Sequence, residues 1–272
     1  MINVCYCGNR KIFPMLLLSA LSITEHTKEP LTVHMLTMDC TDINPAFLPV
    51  SEEQRSILEE ALRMRNADNE ARLIRADKEY NAILRGGKNE KNYYTPYAML
   101  RLLITKYDMP ARLLYLDTDI MCCGNIEELT SVDISEYEFA AVRDHMGKHF
   151  YGRDYFNSGV MYLNLEKIRE TGMFERACVR VVTRKMMFSD QEALNKSATA
   201  KLLLPRRFNE QRHIRPDTVL KHFCRGIKWL PFFHVYNIKQ TEREKVHKKL
   251  KIHDFDEIYR QFDEIAASYD LI

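Results

Sequence analysis

The sequence has no strong charge bias, no apolar run long enough to cross a bilayer, no paired Cys-x-x-Cys sets and no Pro-rich or low-complexity linker. Each absence removes a class of function. Forty Lys plus Arg against thirty-eight Asp plus Glu leave a net charge of +2, so no whole-molecule field draws the chain to nucleic acid, and no nucleic-acid partner is expected. The longest apolar run, residues 13–23, is about half of what a spanning helix needs. Arg10 and Lys11 precede it as in a signal peptide, but a strand-like segment lies ahead of them and no small-x-small cleavage pattern closes the run. Seven cysteines at positions 5, 7, 40, 122, 123, 178 and 224, an odd count without zinc spacing, read as reduced thiols of a cytosolic protein. Cys5 and Cys7 read as buried strand positions rather than metal ligands. With 272 residues and no internal repeat, the chain makes one large α/β domain and is too short for two of ordinary size.

What is present is an alternation of strands and helices. Residues 2–7 form a short buried strand, Gly8-Asn9 a turn, 12–26 an amphipathic helix and 31–38 a second β-rich run. This β-α-β start predicts a mainly parallel sheet covered by helices. Ser51-Glu52-Glu53-Gln54 matches a capping box opening a helix to about residue 66. Gly86-Gly87-Lys88-Asn89 lacks Walker spacing and reads as a mobile surface loop. A helix is expected over 97–106, strands over 113–116, 139–142 and 160–163, and a helix from about 166. Ser189-x-x-Glu192 is a second capping-box match. The charged tail carries Phe255, Ile258, Phe262 and Ile265 at a docking period. Expected boundaries are 1–233 for the main domain and 234–272 for a helical extension packed on it.

Chemistry concentrates at Tyr115-Leu116-Asp117-Thr118-Asp119. Side chains two apart on an extended segment point the same way, so Asp117 and Asp119 present two carboxylates at the end of a buried strand, where open α/β sheets bind ligands. Hard oxygen ligands suit Mg²⁺ or Mn²⁺, and such a cation would offset the charge of a diphosphate. Asp-x-Asp alone is also an ordinary turn; the apolar strand before it makes two uncompensated carboxylates costly without a cation or a wet cleft.

Three ordered motifs carry a resemblance: Leu-Leu-Tyr-Leu-Asp-Thr-Asp-Ile at 113–120, Phe156-Asn157-Ser158-Gly159-Val160-Met161-Tyr162-Leu163-Asn164-Leu165, and Asp190-Gln191-Glu192-Ala193-Leu194-Asn195. Together they resemble glycosyltransferase family 8, which includes bacterial lipopolysaccharide galactosyl- and glucosyltransferases and the glycogenins. The resemblance implies a GT-A fold, with a mixed, mainly parallel sheet and a Rossmann-like nucleotide-binding half. It implies a UDP-sugar donor, Mn²⁺ (Mg²⁺ as alternative) and transfer of glucose or galactose with retention. The acceptor would be a glycan or glycolipid of bacterial surface polysaccharide synthesis, handled in the cytoplasm or at the inner membrane face. Lys245, Lys248, Lys249 and Lys251 could favour that anionic surface, or form a solvated helix face.

By the same resemblance Asp117, Asp119 and His222 would hold the metal, with Asp117 and Thr118 beside ribose and diphosphate. His222 alone would read as a strand histidine bonded to a backbone carbonyl. Lys228, six residues after it, would meet the diphosphate, with Gly226 in the phosphate loop displaced by one from the family glycine, where Arg225 stands. Tyr6, Gly8 and Asn9 would meet the uracil through backbone groups and an aromatic face. Arg101 would bridge sugar and phosphate. Asn157 and Ser158 would meet the sugar, Gly159 would permit close backbone approach, and Asp144, Asp190 and Gln191 would line the reacting carbon. The readings set against transfer are a nucleotidyltransferase or nucleotide-sugar hydrolase, and a non-catalytic nucleotide-sugar binding protein.

Overall fold

Val4, Cys5 and Tyr6 are wholly buried at the middle of a seven-stranded sheet, which is why this segment carries no charge. The structure, a computed structural model, describes residues 1–92, 95–228 and 234–269. The sheet contains β1 (Ile2–Cys7), β2 (Leu31–Thr37), β3 (Glu70–Arg75), β4 (Arg112–Leu116), β6 (Phe139–Arg143), β7 (Phe156–Asn164) and β8 (Lys201–Leu204). Their order is β3-β2-β1-β4-β7-β6-β8. Neighbours run parallel except at β7, which is antiparallel to both β4 and β6. The sheet is therefore mixed and mainly parallel, as expected.

The chain moves outward from β1 to β2 and β3, then returns to place β4 on the other side of β1. The carboxyl ends of β1 and β4 thus flank a switch point, the position at which doubly wound sheets open a crevice. Because β7 is reversed, its first residues, Phe156 to Gly159, lie at the same edge, and Asp117 N donates to the Gly159 carbonyl at 2.8 Å. The carboxyl end of β6, at Arg143, joins them.

The helix Phe13–Thr24 opens with Pro14 in its first turn, where a missing N–H costs nothing. It buries Leu16, Leu17, Leu18, Leu21 and Ile23 against the sheet, each contributing roughly 1.5–3 kcal/mol relative to exposure. A 3₁₀ turn, Arg10–Ile12, leads into it from the expected turn at Gly8-Asn9, with the Asn9 side-chain oxygen accepting from Lys11 N at 3.0 Å. The capping box at Ser51 forms, opening the helix Glu52–Arg63. Pro96–Lys106 winds as a 3₁₀ rather than an α-helix and points Arg101 inward.

Two expectations fail on local chemistry. The loop at Gly86 to Asn89 is docked, not mobile: Asn89 is buried and its Nδ2 donates to the Val181 and Arg184 carbonyls, finishing the helix Met173–Thr183. The capping box at Ser189 does not form. Ser189 takes φ +42°, a left-handed backbone that turns its hydroxyl from the first turn, and Glu192 Oε2 accepts instead from Met187 N at 3.0 Å.

A small ribbon stands beside the main sheet: β5 (Ile120–Cys122) pairs antiparallel with β9 (Leu220–His222), with Ile120 opposite His222. A second ribbon joins β10 (Gly226–Lys228) to β11 (His234–Tyr236), crossing the expected boundary at residue 233. The last helix, Asp256–Tyr269, lies against Phe13–Thr24 with Ile258, Tyr259 and Ile265 buried.

Candidate active site

Register brings the three metal-site candidates together across more than a hundred residues of chain. Asp117 and Asp119 follow β4, and the β5–β9 pairing sets His222 beside them, locked by Phe223 N donating to the Asp119 carbonyl at 2.9 Å. One ligand atom from each of Asp117, Asp119 and His222 lies within 4.8 Å of the others. Each of the three is held from behind. Asp117 Oδ1 accepts from Arg101 Nη2 at 2.8 Å and from the Tyr115 hydroxyl at 2.9 Å. Asp119 Oδ2 accepts from Lys239 Nζ. His222 Nδ1 lies 3.1 Å from Asn209 Oδ1, while Asn209 Nδ2 donates to Asn157 Oδ1 at 2.9 Å.

That last chain of bonds assigns the imidazole tautomer. Asn209 offers an oxygen, so Nδ1 carries the proton, and in the neutral ring the lone pair of Nε2 faces Asp119 Oδ1 at 3.2 Å. Two acceptors face to face, only 4% and 13% exposed, repel unless a proton or cation lies between them. Neighbouring ligands on an ion at about 2.2 Å lie about 3.1 Å apart, which this spacing matches. A histidine fixed through its distal nitrogen is the usual support of a metal ligand. Gly159 is required by the same space: a Cβ there would come within 2.4 Å of His222 Cε1 and 2.9 Å of Asp117 Oδ2. The donor set therefore fits a divalent cation, and its mix of carboxylate and imidazole suits Mn²⁺ better than Ca²⁺.

Electrostatics point the same way. Burial alone would raise the Asp119 carboxyl, but His222, when a proton rather than a metal lies between the two groups, and the Lys239 ammonium outweigh it and hold the group well below the usual carboxylate range. Arg101, 7% exposed rather than an open helix arginine, also pairs through Nε with Asp190 Oδ2 at 3.0 Å, donates to the Ser158 carbonyl at 2.7 Å and stacks 4.3 Å from the Tyr115 ring centroid.

Asp190 lies deep behind that guanidinium, and burial lifts its carboxyl to about 6, with Arg101 lowering it and Asp117 raising it. An unfolded aspartate titrates near ~3.9. Between about pH 4 and 6 the native chain therefore holds more protons here than the unfolded chain, so this group makes stability fall as pH rises through that window and adds no slope above it. Relative to wild type, Asp190→Asn should gain stability from pH 4 to pH 6 and stay level from 6 to 8. Urea midpoints at stepped pH check this, and a pH-independent difference would contradict it.

The sugar-side residues converge as a network. Asp144 Oδ2 accepts from Asn157 Nδ2 at 2.9 Å and Gln191 Nε2 at 3.2 Å, and its Oδ1 accepts from Met146 N and Gly147 N. Gln191 Oε1 accepts from Ser158 N at 3.1 Å. The N–H groups of Gln191 and Glu192 turn to the Phe188 carbonyl, so this helix start is closed locally.

The nucleotide side differs from expectation. Tyr6 is fully buried with its hydroxyl 2.8 Å from Ser19 Oγ, so its ring offers no face to a base. Gly8 N–H donates to the Leu36 carbonyl, and a Cβ at Gly8 would strike Ile12 at 2.4 Å: this glycine serves packing. Asn9 is buried and spends its side-chain oxygen on Lys11 N. Gly226 lies in β10 directly under Tyr236, whose ring a Cβ would meet at 2.2 Å. The Lys228 side chain lies outside the described residues.

Tyr115, Asn209, Lys239 and Gln240 were not anticipated. Tyr115 could have been, since it shares its strand face with Asp117. Asn209 and Lys239 carry no local signal. Gln240 Nε2 donates to the Thr118 carbonyl at 2.6 Å, so residues far along the chain brace the triplet.

With this geometry in place, the profile of Glycosyl transferase family 8 matches residues 3–252. The chain belongs to glycosyl transferase family 8. It is 28% identical over 190 residues to a lipopolysaccharide 1,2-glucosyltransferase of Escherichia coli, covering 54% of this chain and 56% of that protein. It is 37% identical over 65 residues to the glycosyltransferase GlyA of Streptococcus pneumoniae, covering 24% of this chain and 9% of that one. The chain thus spans about half or much less of the length of these relatives. In three dimensions it resembles the galactosyltransferase LgtC solved with donor and acceptor sugar analogues, with TM-score 0.67, 18% identity, and 97% and 96% of the two chains covered. GlyE of Streptococcus pneumoniae follows at TM-score 0.62 and 18% identity, covering 97% of this chain and 63% of that one. The family 8 chain therefore has the GT-A fold.

Proposed function

We propose that this family 8 glycosyltransferase moves a hexose, glucose or galactose, from a UDP-sugar to an acceptor hydroxyl with retention of configuration. The acceptor is a glycan or glycolipid, in keeping with the lipopolysaccharide glucosyltransferase among its relatives. The observation that carries this reading is the Asp117, Asp119 and His222 cradle at the switch point, each member hydrogen-bonded to a side chain outside the trio. A divalent cation held there would offset negative charge on the departing UDP.

The protein's own groups then have separable tasks. Arg101 fixes Asp117 and the Ser158 carbonyl, so the two motifs keep one spacing. Thr118 lies in the same turn, beside the expected ribose, and Lys228 with the Gly226 loop belongs to the diphosphate. Asn9, at the β1 end with Tyr6 and Gly8, marks the uracil side, where backbone groups rather than a ring remain as contacts. Asn157, Ser158, Asp144 and Gln191 form the wall for the sugar.

This wall favours direct same-face displacement over a covalent intermediate. Asp144 has both oxygens committed to four N–H donors, and Asp190 is paired to Arg101 behind the wall, so neither is a free carboxylate beneath C1. Gln191, a neutral amide held at both ends, can face a carbon gaining positive charge without capturing it. Gln191→Ala is expected to lower kcat about a hundredfold while donor affinity changes less than about threefold. Steady-state and binding measurements on the variant check this; an unchanged kcat removes Gln191 from the mechanism.

Residues 234–269 act together with the main domain in this reading, with Lys239 reaching Asp119 and Gln240 the Thr118 carbonyl. No helix of the described residues is long and apolar enough to cross a membrane. A contact of the lysine cluster with the membrane at the cytoplasmic face is weakened because Lys245 and Lys248 pair with Glu242 and Glu244.

A panel of UDP-, GDP- and TDP-hexoses with Mn²⁺ or EDTA tests the reading. Free UDP from a UDP-hexose, abolished by EDTA, is expected. UMP or pyrophosphate would move the chemistry to the α-phosphate, and binding without turnover would make the chain a receptor.

A further inference from the structure

The two carboxylates of the cradle are braced by cations of different character. Asp117 has a guanidinium buried to 7%, anchored also on Asp190 and on the Ser158 carbonyl and hydroxyl. It is a fixed fork that cannot leave without stranding the buried Asp190 and the half-buried Asp117 without a counter-charge. Asp119 has a lysine ammonium, 29% exposed, whose other anchor is the Phe223 carbonyl at 3.2 Å. The base of that lysine is rigid. Lys239 N donates to Glu242 Oε2 at 3.0 Å, and the next residue, Gln240, is wholly buried with its carboxamide on the Thr118 and Met15 carbonyls and its own carbonyl on the Tyr259 hydroxyl. Only the flexible end can move, and it ends at the one carboxylate shared with the cradle.

We propose that Lys239 is an exchangeable counter-cation that couples metal binding to donor binding. Its ammonium competes with a divalent cation for Asp119, and it passes to the donor's diphosphate when cation and nucleotide bind together. This rests on the metal-dependent transfer proposed above. Like charges a few ångströms apart in a buried site repel strongly, so the ammonium weakens binding of the cation alone. A diphosphate carries negative charge to the same place and gives the ammonium a new partner, which removes that penalty. The coupling is reciprocal, because linkage requires each ligand to strengthen the other by one factor. A lysine whose only task was to orient Asp119 would act in the opposite direction: its loss would weaken the metal by roughly 10–100-fold.

Mn²⁺ titrations followed by electron paramagnetic resonance, with and without UDP, test the proposal without turnover. For Lys239→Met, Mn²⁺ alone should bind about tenfold tighter than in wild type, and its enhancement by UDP should shrink by about the same factor. Lys239→Arg should keep the wild-type affinity for Mn²⁺ alone. Should the Met variant not fold, Lys239→Gln carries the same expectation. Unchanged or weaker binding of Mn²⁺ alone by a folded, charge-neutral variant would overturn the exchange role. Asp119→Asn separates the two claims: if it keeps wild-type Mn²⁺ binding, the metal reading fails and takes the Lys239 proposal with it. If Asp119→Asn loses the ion while Lys239→Met binds Mn²⁺ alone no more tightly than wild type, the metal reading stands and the Lys239 proposal alone fails.

Discussion

Asp119→Asn is expected to cost roughly a thousandfold or more in Mn²⁺-dependent UDP release while leaving the protein folded. The loss is large because Asp119 supplies an anionic ligand directly opposite His222 Nε2, and an amide would present either a neutral oxygen or an N–H to the same point. The fold survives because Lys239, partly exposed, can turn its ammonium to water once its partner is gone. A melting temperature within about 4 °C of wild type is expected. Asp117→Asn should fail in the same way, with Arg101 retaining Asp190 and the Ser158 carbonyl. Turnover assays beside thermal melts check both variants, and wild-type turnover by either one would contradict the metal assignment.

Arg101→Met should have the largest effect on stability. The methionine fills much of the space, yet it leaves Asp117 and Asp190 facing each other across a buried site without the cation that neutralises them. Removing one partner of a buried ion pair costs about 3–5 kcal/mol, or about 10 °C in melting temperature for a chain of this size. Part of the loss should return at low pH, because Asp190, already lifted to about 6 by burial with Arg101 pulling it down, would take up a proton still more readily without that pull. The variant should therefore lie closest to wild type near pH 5 and furthest above pH 7, as chemical denaturation at several pH values would show. A cost below about 1 kcal/mol at pH 7 would mean that Arg101 braces nothing of consequence.

How far the site could be read in the sequence depended on distance along the chain. Asp117 and Asp119 were legible because alternation on a strand and burial of β4 are local properties, and the sheet places that strand end at the switch point. The parallel start of the fold followed from β-α-β spacing alone. His222 was legible only through the resemblance, since the pairing of Ile120 with His222 joins segments a hundred residues apart. Lys239, 120 residues from Asp119, had no signal at all. The errors were of a different kind. Tyr6 was expected through the resemblance to show an aromatic face to the uracil, but strand alternation also decides which side chains turn inward, and Tyr6 turns to Ser19. Ser189 had the letters of a capping box in a backbone that its left-handed φ takes elsewhere. Sequence pattern states which bonds are available, while tertiary contacts decide which are used.

The central claim is that one divalent cation binds between Asp117, Asp119 and His222 and carries the donor's diphosphate. Crystals soaked with Mn²⁺ and UDP, measured at the manganese edge, test it most directly. The account predicts an anomalous peak about 2.2 Å from a carboxylate oxygen of Asp117, one of Asp119 and Nε2 of His222, with UDP oxygens completing the shell. Among the described residues the other group able to gather a metal is His247, His253 and Asp256, on the surface. A peak there alone, with UDP bound and no manganese at the switch point, would contradict the account.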